Sequence, residues 1–186
     1  PRAFTKRAAV HVWLSPDDRW LVVDTGSTGL ADEVVTLLVK ALDGLAVQAL
    51  HTVESPSAVM ADWLVTGEPA ADFAVDRECE LKTSDEMKSV VRYARHPLDI
   101  EEVRQHIAQG KRPTRLAVTW SGRVSFTLTE SMQLRRLEFL DGVLDEEAGR
   151  TEAERFDADA AIVTAELQRL LPALVEALGG EHRPVT

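Results

Sequence analysis

Residues 110–140, GKRPTRLAVTWSGRVSFTLTESMQLRRLEFL, decide how the rest of the chain is read. Leu116, Val118 and Trp120 alternate with Arg115, Ala117 and Thr119, and Val124, Phe126 and Leu128 then alternate with Ser125, Thr127 and Thr129. A period of two predicts two strands of a half-buried sheet. If Ser121 and Gly122 alone made the turn, Trp120 would face Arg123 and the two apolar sets would fall on opposite faces. A three-residue loop with Arg123 at its tip pairs Trp120 with Val124 and brings the apolar sets together. The other face then carries Arg115 among small hydroxyls, flanked by Lys111, Arg112, Arg135 and Arg136. Six basic residues and one acid, Glu130, lie between positions 111 and 136, a local balance of +5 inside a chain whose total is -10.

Working outward, 186 residues suffice for one large or two small cores, and 45% apolar with 28% charged is the composition of a folded domain, not of a disordered one. No run of about 18 apolar residues is present to cross a bilayer, and no basic-then-apolar leader precedes the first strand. The single cysteine, Cys79, cannot form an internal disulfide, so a reducing cytoplasm is expected. The opening at Pro1 without a methionine leads us to expect a piece of something longer. An acidic total opposes nucleic-acid binding, because every phosphate contact needs a cation. Its distribution is uneven, however: residues 138–159 hold nine acids against Arg150 and Arg155, a balance of -7. That segregation can set a basic surface apart from an acidic one.

From the start, Val10, Val12 and Leu14 alternate, a Pro-Asp-Asp turn follows at residues 15–18, and residues 20–24 make a second strand, completing a hairpin. Leu30, Val34, Leu37, Leu38, Ala41 and Leu42 share one helical face, which Gly44 ends. Residues 46–50 are expected as a short strand. Ser55 caps a helix over residues 56–66 that begins with Pro56, buries Val59, Met60, Trp63 and Leu64, and stops at Gly67. Residues 77–83 and 87–93 read as a hairpin around residues 84–86. Asp99 with Glu102 reads as a capping box for a helix over residues 100–109 ended by Gly110. After the basic meander and an acidic connection, a helix is expected over residues 156–178, with Pro172 removing one of its hydrogen bonds. Tight hairpins with helices on one face give an α+β fold of antiparallel sheets, divided into two successive α+β domains, 1–95 and 96–186.

The motifs that could carry chemistry are few. Val22-Val23-Asp24-Thr25-Gly26-Ser27 matches the string around an aspartic peptidase carboxylate, but that chemistry needs two carboxylates sharing a proton and the chain has one such string. A strand running into a turn and helix cap accounts for it better. Gly26 to Gly29 could cradle a phosphate, yet the lysine of a nucleotide-binding loop is missing. The five histidines lack the spacing of a metal site, so no metal and no cofactor are expected. Cys79 reads as a small strand residue. Tyr93, between Arg92 and Arg95, could touch a sugar-phosphate chain.

Pro1-Arg2-Ala3-Phe4, the strand Leu116-Ala117-Val118-Thr119-Trp120, Leu134-Arg135-Arg136-Leu137, Arg155-Phe156-Asp157-Ala158-Asp159 and Leu178-Gly179-Gly180-Glu181 together resemble the bacterial recombination-associated RdgC family, in its order and spacing along nearly the whole chain. The resemblance is to the family's C-terminal part, with its N-terminal third missing. It implies centre-type and base-type α+β domains. It further implies a non-enzymatic protein of the cytoplasm and nucleoid that binds duplex and single-stranded DNA without strong sequence preference. Its dimer would close a ring around the DNA and limit the access of the RecA recombinase. By this resemblance Arg2, Arg92, Arg95, Lys111, Arg115, Arg135 and Arg136 are candidates for the DNA contacts, and Phe4 for an interface. The chain departs from the family pattern at His96 and Pro97. Two other readings compete: a protein-interaction module whose acidic segment, 138–159, binds a basic partner, and the aspartic peptidase using Asp24.

Overall fold

The computed structural model describes residues 9–83, 89–140, 142–143 and 151–182, which divide into two compact units, 1–49 and 50–186. The architecture is α+β with antiparallel sheets, as expected. The boundary expected at residues 95 and 96 falls inside the second unit.

In the first unit, β1 (Val12–Ser15) pairs antiparallel with β2 (Trp20–Val23). The reversal is held by the Arg19 N–H donating to the Pro16 carbonyl at 3.2 Å and the Ser15 hydroxyl donating to Asp18 at 2.7 Å. The chain then enters α1 (Thr28–Ala41), whose N-cap Ser27 accepts from the Leu30 N–H at 3.3 Å. None of α1's residues is buried, and Leu37 is 60% exposed. Residues 46–50 are irregular, not the strand expected, because no described edge pairs with them.

The second unit is built on a five-stranded antiparallel sheet in the order β4-β3-β5-β6-β7. Leading into it is α2 (Pro56–Thr66), with the expected ends: Ser55 accepts from the Ala58 N–H, and Gly67 takes the left-handed C-cap at φ +71. Its Val59, Met60, Trp63 and Leu64 are buried, and α2 lies on β5 and β6. The strand β3 (Phe73–Lys82) begins earlier than expected, because Phe73 to Val75 pair with Trp120 to Val118. Its partner is β4 (Val90–Ala94), and the turn expected at residues 84–86 lies outside the described residues.

Next comes α3 (Glu101–Ala108), where the expected capping box is absent. Ile100 occupies the cap without a side-chain bond, and the Asp99 carboxylate goes to Arg104 instead. Glu101 and Glu102 in the first turn still favour this start by meeting the positive end of the helix.

The meander consists of β5 (Arg112–Trp120), β6 (Val124–Thr129) and β7 (Leu134–Phe139). Trp120 pairs with Val124 across the three-residue loop, as the alternation predicts. Leu116, Val118, Val124 and Leu128 are inaccessible to solvent, each worth about 1.5–3 kcal/mol of apolar burial. The last element, α4 (Glu152–Ala177), starts before the expected residue 156 because Thr151 and Glu154 form a capping box. Glu154 N–H donates to Thr151 Oγ1 at 3.3 Å and Thr151 N–H to Glu154 Oε2 at 2.8 Å. Past α4, the Leu178 and Gly180 carbonyls accept from Glu54 and Val53, tying the end of the chain to the approach to α2.

Candidate nucleic-acid interface

The sheet's two faces differ completely. One carries Cys79, Leu81, Leu116, Val118, Phe126 and Leu128, all buried. On the other, strand register lines up Arg92 of β4, Glu80 of β3, Arg115 of β5 and Thr129 of β6 in one row across four strands. Cross-strand partners on one face lie close enough for long side chains to meet, so this row assembles charges that are far apart in sequence.

Glu80 is its centre. The residue is 3% exposed, and its two carboxylate oxygens are used separately. One accepts from the Thr114 hydroxyl at 2.7 Å and from Lys82 Nζ at 3.0 Å, and Arg115 Nε stands 3.9 Å from it. The other accepts from Arg92 Nε at 2.6 Å. Thr114 reaches this position because it is the extra residue of a bulge: Arg115 pairs with Glu80 but Pro113 pairs with Leu81. Burial raises the pKa of Glu80, but the bonds from Thr114, Arg92 and Lys82 outweigh it and bring the value down to about 2. The carboxylate is therefore ionised at any physiological pH.

Beside this group a polar cleft of about 100 Å³ is lined by Glu80, Lys82, Arg115, Thr129, Gln133 and Arg135, among others. Arg135 Nε donates to Gln133 Oε1 at 2.9 Å. Arg136 stands at a bulge with φ +50, and its Nη2 reaches Thr127 Oγ1 at 3.0 Å and Glu78 Oε2 at 2.7 Å. The hydroxyls expected to be exposed around Arg115 are buried at Thr127, which Arg136 reaches, and at Thr129, which bonds Ser131 and the Gln133 N–H in the turn after β6.

Of the residues singled out from sequence, Arg92, Arg115, Arg135 and Arg136 thus share one face. Lys111 does not join them: its Nζ stands 3.2 Å from His106 Nδ1 of α3. Arg95 is exposed just beyond β4 with φ +57. Arg2 and Phe4 lie outside the described residues. Tyr93 pairs with Cys79 on the apolar side, its ring 6.1 Å from His96 and 6.4 Å from His106, so the sugar-phosphate contact considered for it does not fit. Arg123, at the loop tip as expected, is held by buried Glu166 of α4 through Nε at 3.1 Å and Nη2 at 2.5 Å.

Two cations of this face were not among the DNA-contact candidates, although the alternation already sets Arg112 beside it. Lys82 shares the period-two face of Glu80, and Arg112 is its partner in register on β5. The face then holds Lys82, Arg92, Arg112, Arg115, Arg135 and Arg136 against Asp76, Glu78, Glu80, Glu130 and Glu138, six cations to five carboxylates, with the cations drawn together around Glu80 and the β6–β7 end.

The other motifs resolve without chemistry. Asp24 is exposed, 3.9 Å from His11, and Ser27 of the same string is the α1 cap. Burial pushes the Cys79 thiol up to about 12, so it is an inert strand residue. Among the described residues no helix is long and apolar enough to cross a membrane.

Comparison with known proteins matches residues 1–181 to a family described as "Putative exonuclease, RdgC". The chain belongs to the RdgC family. The recombination-associated protein RdgC of Dechloromonas aromatica (strain RCB) is 52% identical over 187 residues, covering 97% of this chain and 61% of that protein. The RdgC proteins of Cupriavidus pinatubonensis and Bordetella pertussis are 51% and 43% identical, each over 98% of this chain and 62% of their own length. The chain therefore spans about six tenths of the length of these RdgC relatives.

Proposed function

We propose that this chain is the DNA-binding body of a recombination-associated protein that holds DNA without reading its sequence and performs no covalent chemistry. The observation that carries this is the row of cations gathered on one sheet face in a chain of net charge -10. Such sorting keeps the molecule from adhering to polyanions at large while concentrating positive potential where phosphates would lie. Contacts limited to phosphate position a duplex and carry no sequence information. Arg92, Arg115, Arg135 and Arg136 are the contacts we assign, joined by Lys82 and Arg112, and the resemblance adds Arg95, Lys111 and Arg2 as further candidates. The relatives' name, recombination-associated protein, supports the cellular setting. In this reading the protein acts in the cytoplasm at the nucleoid as a dimer, with Phe4 at an interface. Two subunits enclose duplex or single-stranded DNA and restrict RecA.

The test is titration of random-sequence duplex and single strand at about 50 and about 200 mM salt, with the whole Dechloromonas relative alongside. Binding that weakens steeply with salt and is indifferent to sequence is the expected result. Loss in this chain alone would place the contacts in the part of the relative it does not span. Absence of salt-sensitive binding in both would refute the proposal and leave the acidic 138–159 segment as a protein-binding surface. The family description names an exonuclease, so the same mixtures, supplied with Mg²⁺ and end-labelled DNA, should release no nucleotides.

A further inference from the structure

The way Glu80 grips its arginines goes beyond a balance of charges. Arg92 meets the carboxylate through Nε, and Nε is also the nearest atom of Arg115. A guanidinium has five N–H donors in a fixed fork. Anchoring the inner nitrogen leaves the terminal amino groups, and the terminal groups of both residues have no partner among the described residues. Both side chains remain largely exposed, at 70% and 49%, so the anchored end is buried and the open end meets solvent. Arg123 provides the contrast: it gives Nε and Nη2 together to Glu166, spending its fork inside the protein.

We infer that Glu80 is a positioning residue which holds Arg92 by its inner nitrogen and draws Arg115 by charge with the same nitrogen nearest, so that their terminal amino pairs stand ready as a two-pronged cradle for phosphodiester oxygens. The inference rests on the DNA-binding reading above and specifies how its central contacts are made. Two parallel N–H bonds to one phosphate are the strong form of arginine recognition, and they require the guanidinium plane to be fixed beforehand. Glu80 can fix it because it is itself immobile, buried and tied to Thr114.

The discriminating variant is Glu80→Gln. An amide has one acceptor oxygen, so it cannot serve Thr114 and Lys82 on one side and Arg92 on the other. The substitution also removes a negative charge from the face. Charge counting alone therefore predicts tighter duplex binding and a steeper salt dependence, by about 0.9 in the logarithmic slope. Positioning predicts the opposite sign. Each side chain that must be immobilised on binding costs roughly two- to tenfold in affinity, and the two cations bonded to Glu80, Lys82 and Arg92, lose their anchor, so binding should weaken about threefold or more. Equal or tighter binding by Glu80→Gln overturns the inference. If Arg92→Ala and Arg115→Ala weaken binding while Glu80→Gln does not, only the role of Glu80 falls. If the unsubstituted protein shows no salt-dependent binding, the parent reading falls with it.

A measurement on the unsubstituted protein covers the case in which Glu80→Gln fails to fold. The arginine side-chain ¹⁵N signals, assigned with Arg92→Lys, are followed as inorganic phosphate and then random duplex are added. The Arg92 Nη signals should shift while its Nε–H stays protected from exchange. Movement of Nε–H with loss of its protection would mean that the ligand displaces Glu80, which overturns the cradle.

Discussion

Replacing Glu80 by glutamine also gives a sharp prediction for acid stability. Its carboxyl titrates near 2 in the folded protein, against an ordinary 4.5. A folded-state value below the unfolded one means that stabilisation is complete above 4.5 and is lost as pH falls towards 2. At about 1.4 kcal/mol per pH unit, that displacement amounts to about 3 kcal/mol at neutral pH. The figure is an upper bound, since the partners Lys82 and Arg92 are 39% and 70% exposed and water screens them. About 1–3 kcal/mol is the working range.

The assay is urea unfolding followed by tryptophan fluorescence from pH 7 down to about pH 2.5, with Trp13 and Trp20 replaced by phenylalanine so that Trp63 and Trp120 report the second unit. The bond from Arg123 also lowers the carboxyl pKa of Glu166, against the opposing effect of burial, and the bonds from Thr151 lower that of Glu154. Both titrate in the two proteins alike, so the difference between the stability curves isolates Glu80. That difference should be near its full size above pH 5 and mostly gone at pH 2.5. A gap that stays constant across this range would refute the claim that Glu80 is held ionised by its neighbours.

Other consequences follow from the same contacts. Glu166→Gln should lower stability by about 1–2 kcal/mol in a thermal melt, because charge-assisted bonds from Arg123 and Arg169 are lost while both cations can turn to water. Arg92→Ala and Arg115→Ala should each lower the logarithmic salt slope for duplex binding by about 0.9, whereas Arg123→Ala, whose fork is occupied by Glu166, should leave the slope unchanged. Gly67→Ala should cost about 1 kcal/mol in the melt, since the C-cap of α2 sits at φ +71, where a Cβ is disfavoured.

Local rules carried part of this fold. The meander register was legible because period-two patterning and loop length together leave one way to keep both apolar sets on the same side. Both ends of α2 were legible because Ser55, Pro56 and Gly67 each satisfy a backbone need within a turn of their own position. Where the backbone had a competing partner, the same rules failed. Asp99 could cap α3 but bonds Arg104, and Thr151 with Glu154 formed a box inside what reads as an acidic connection. The early start of β3 depends on β5, some forty residues on, and nothing in Phe73 to Asp76 announces that edge.

The candidate site divides in the same way. Density of basic residues pointed to the meander, and it brought Arg115, Arg135 and Arg136 to one face. Density could not separate them from Arg123, which lies in the same stretch and faces a buried acid. The separation is a matter of which nitrogen is used. Arg123 is spent on Glu166 through two nitrogens, as a strut between the β5–β6 loop and α4. Arg92 is held by Glu80 through one. An acid beside an arginine therefore has two opposite meanings, cancellation or orientation, and counting charges cannot distinguish them. The row across β4, β3 and β5 contains a carboxylate at its centre, yet its outward groups are all donors, so the acid buried beneath them need not weaken the face as an anion-binding surface. By anchoring the inner end of Arg92 it reduces the entropy the outer end would lose on meeting phosphate.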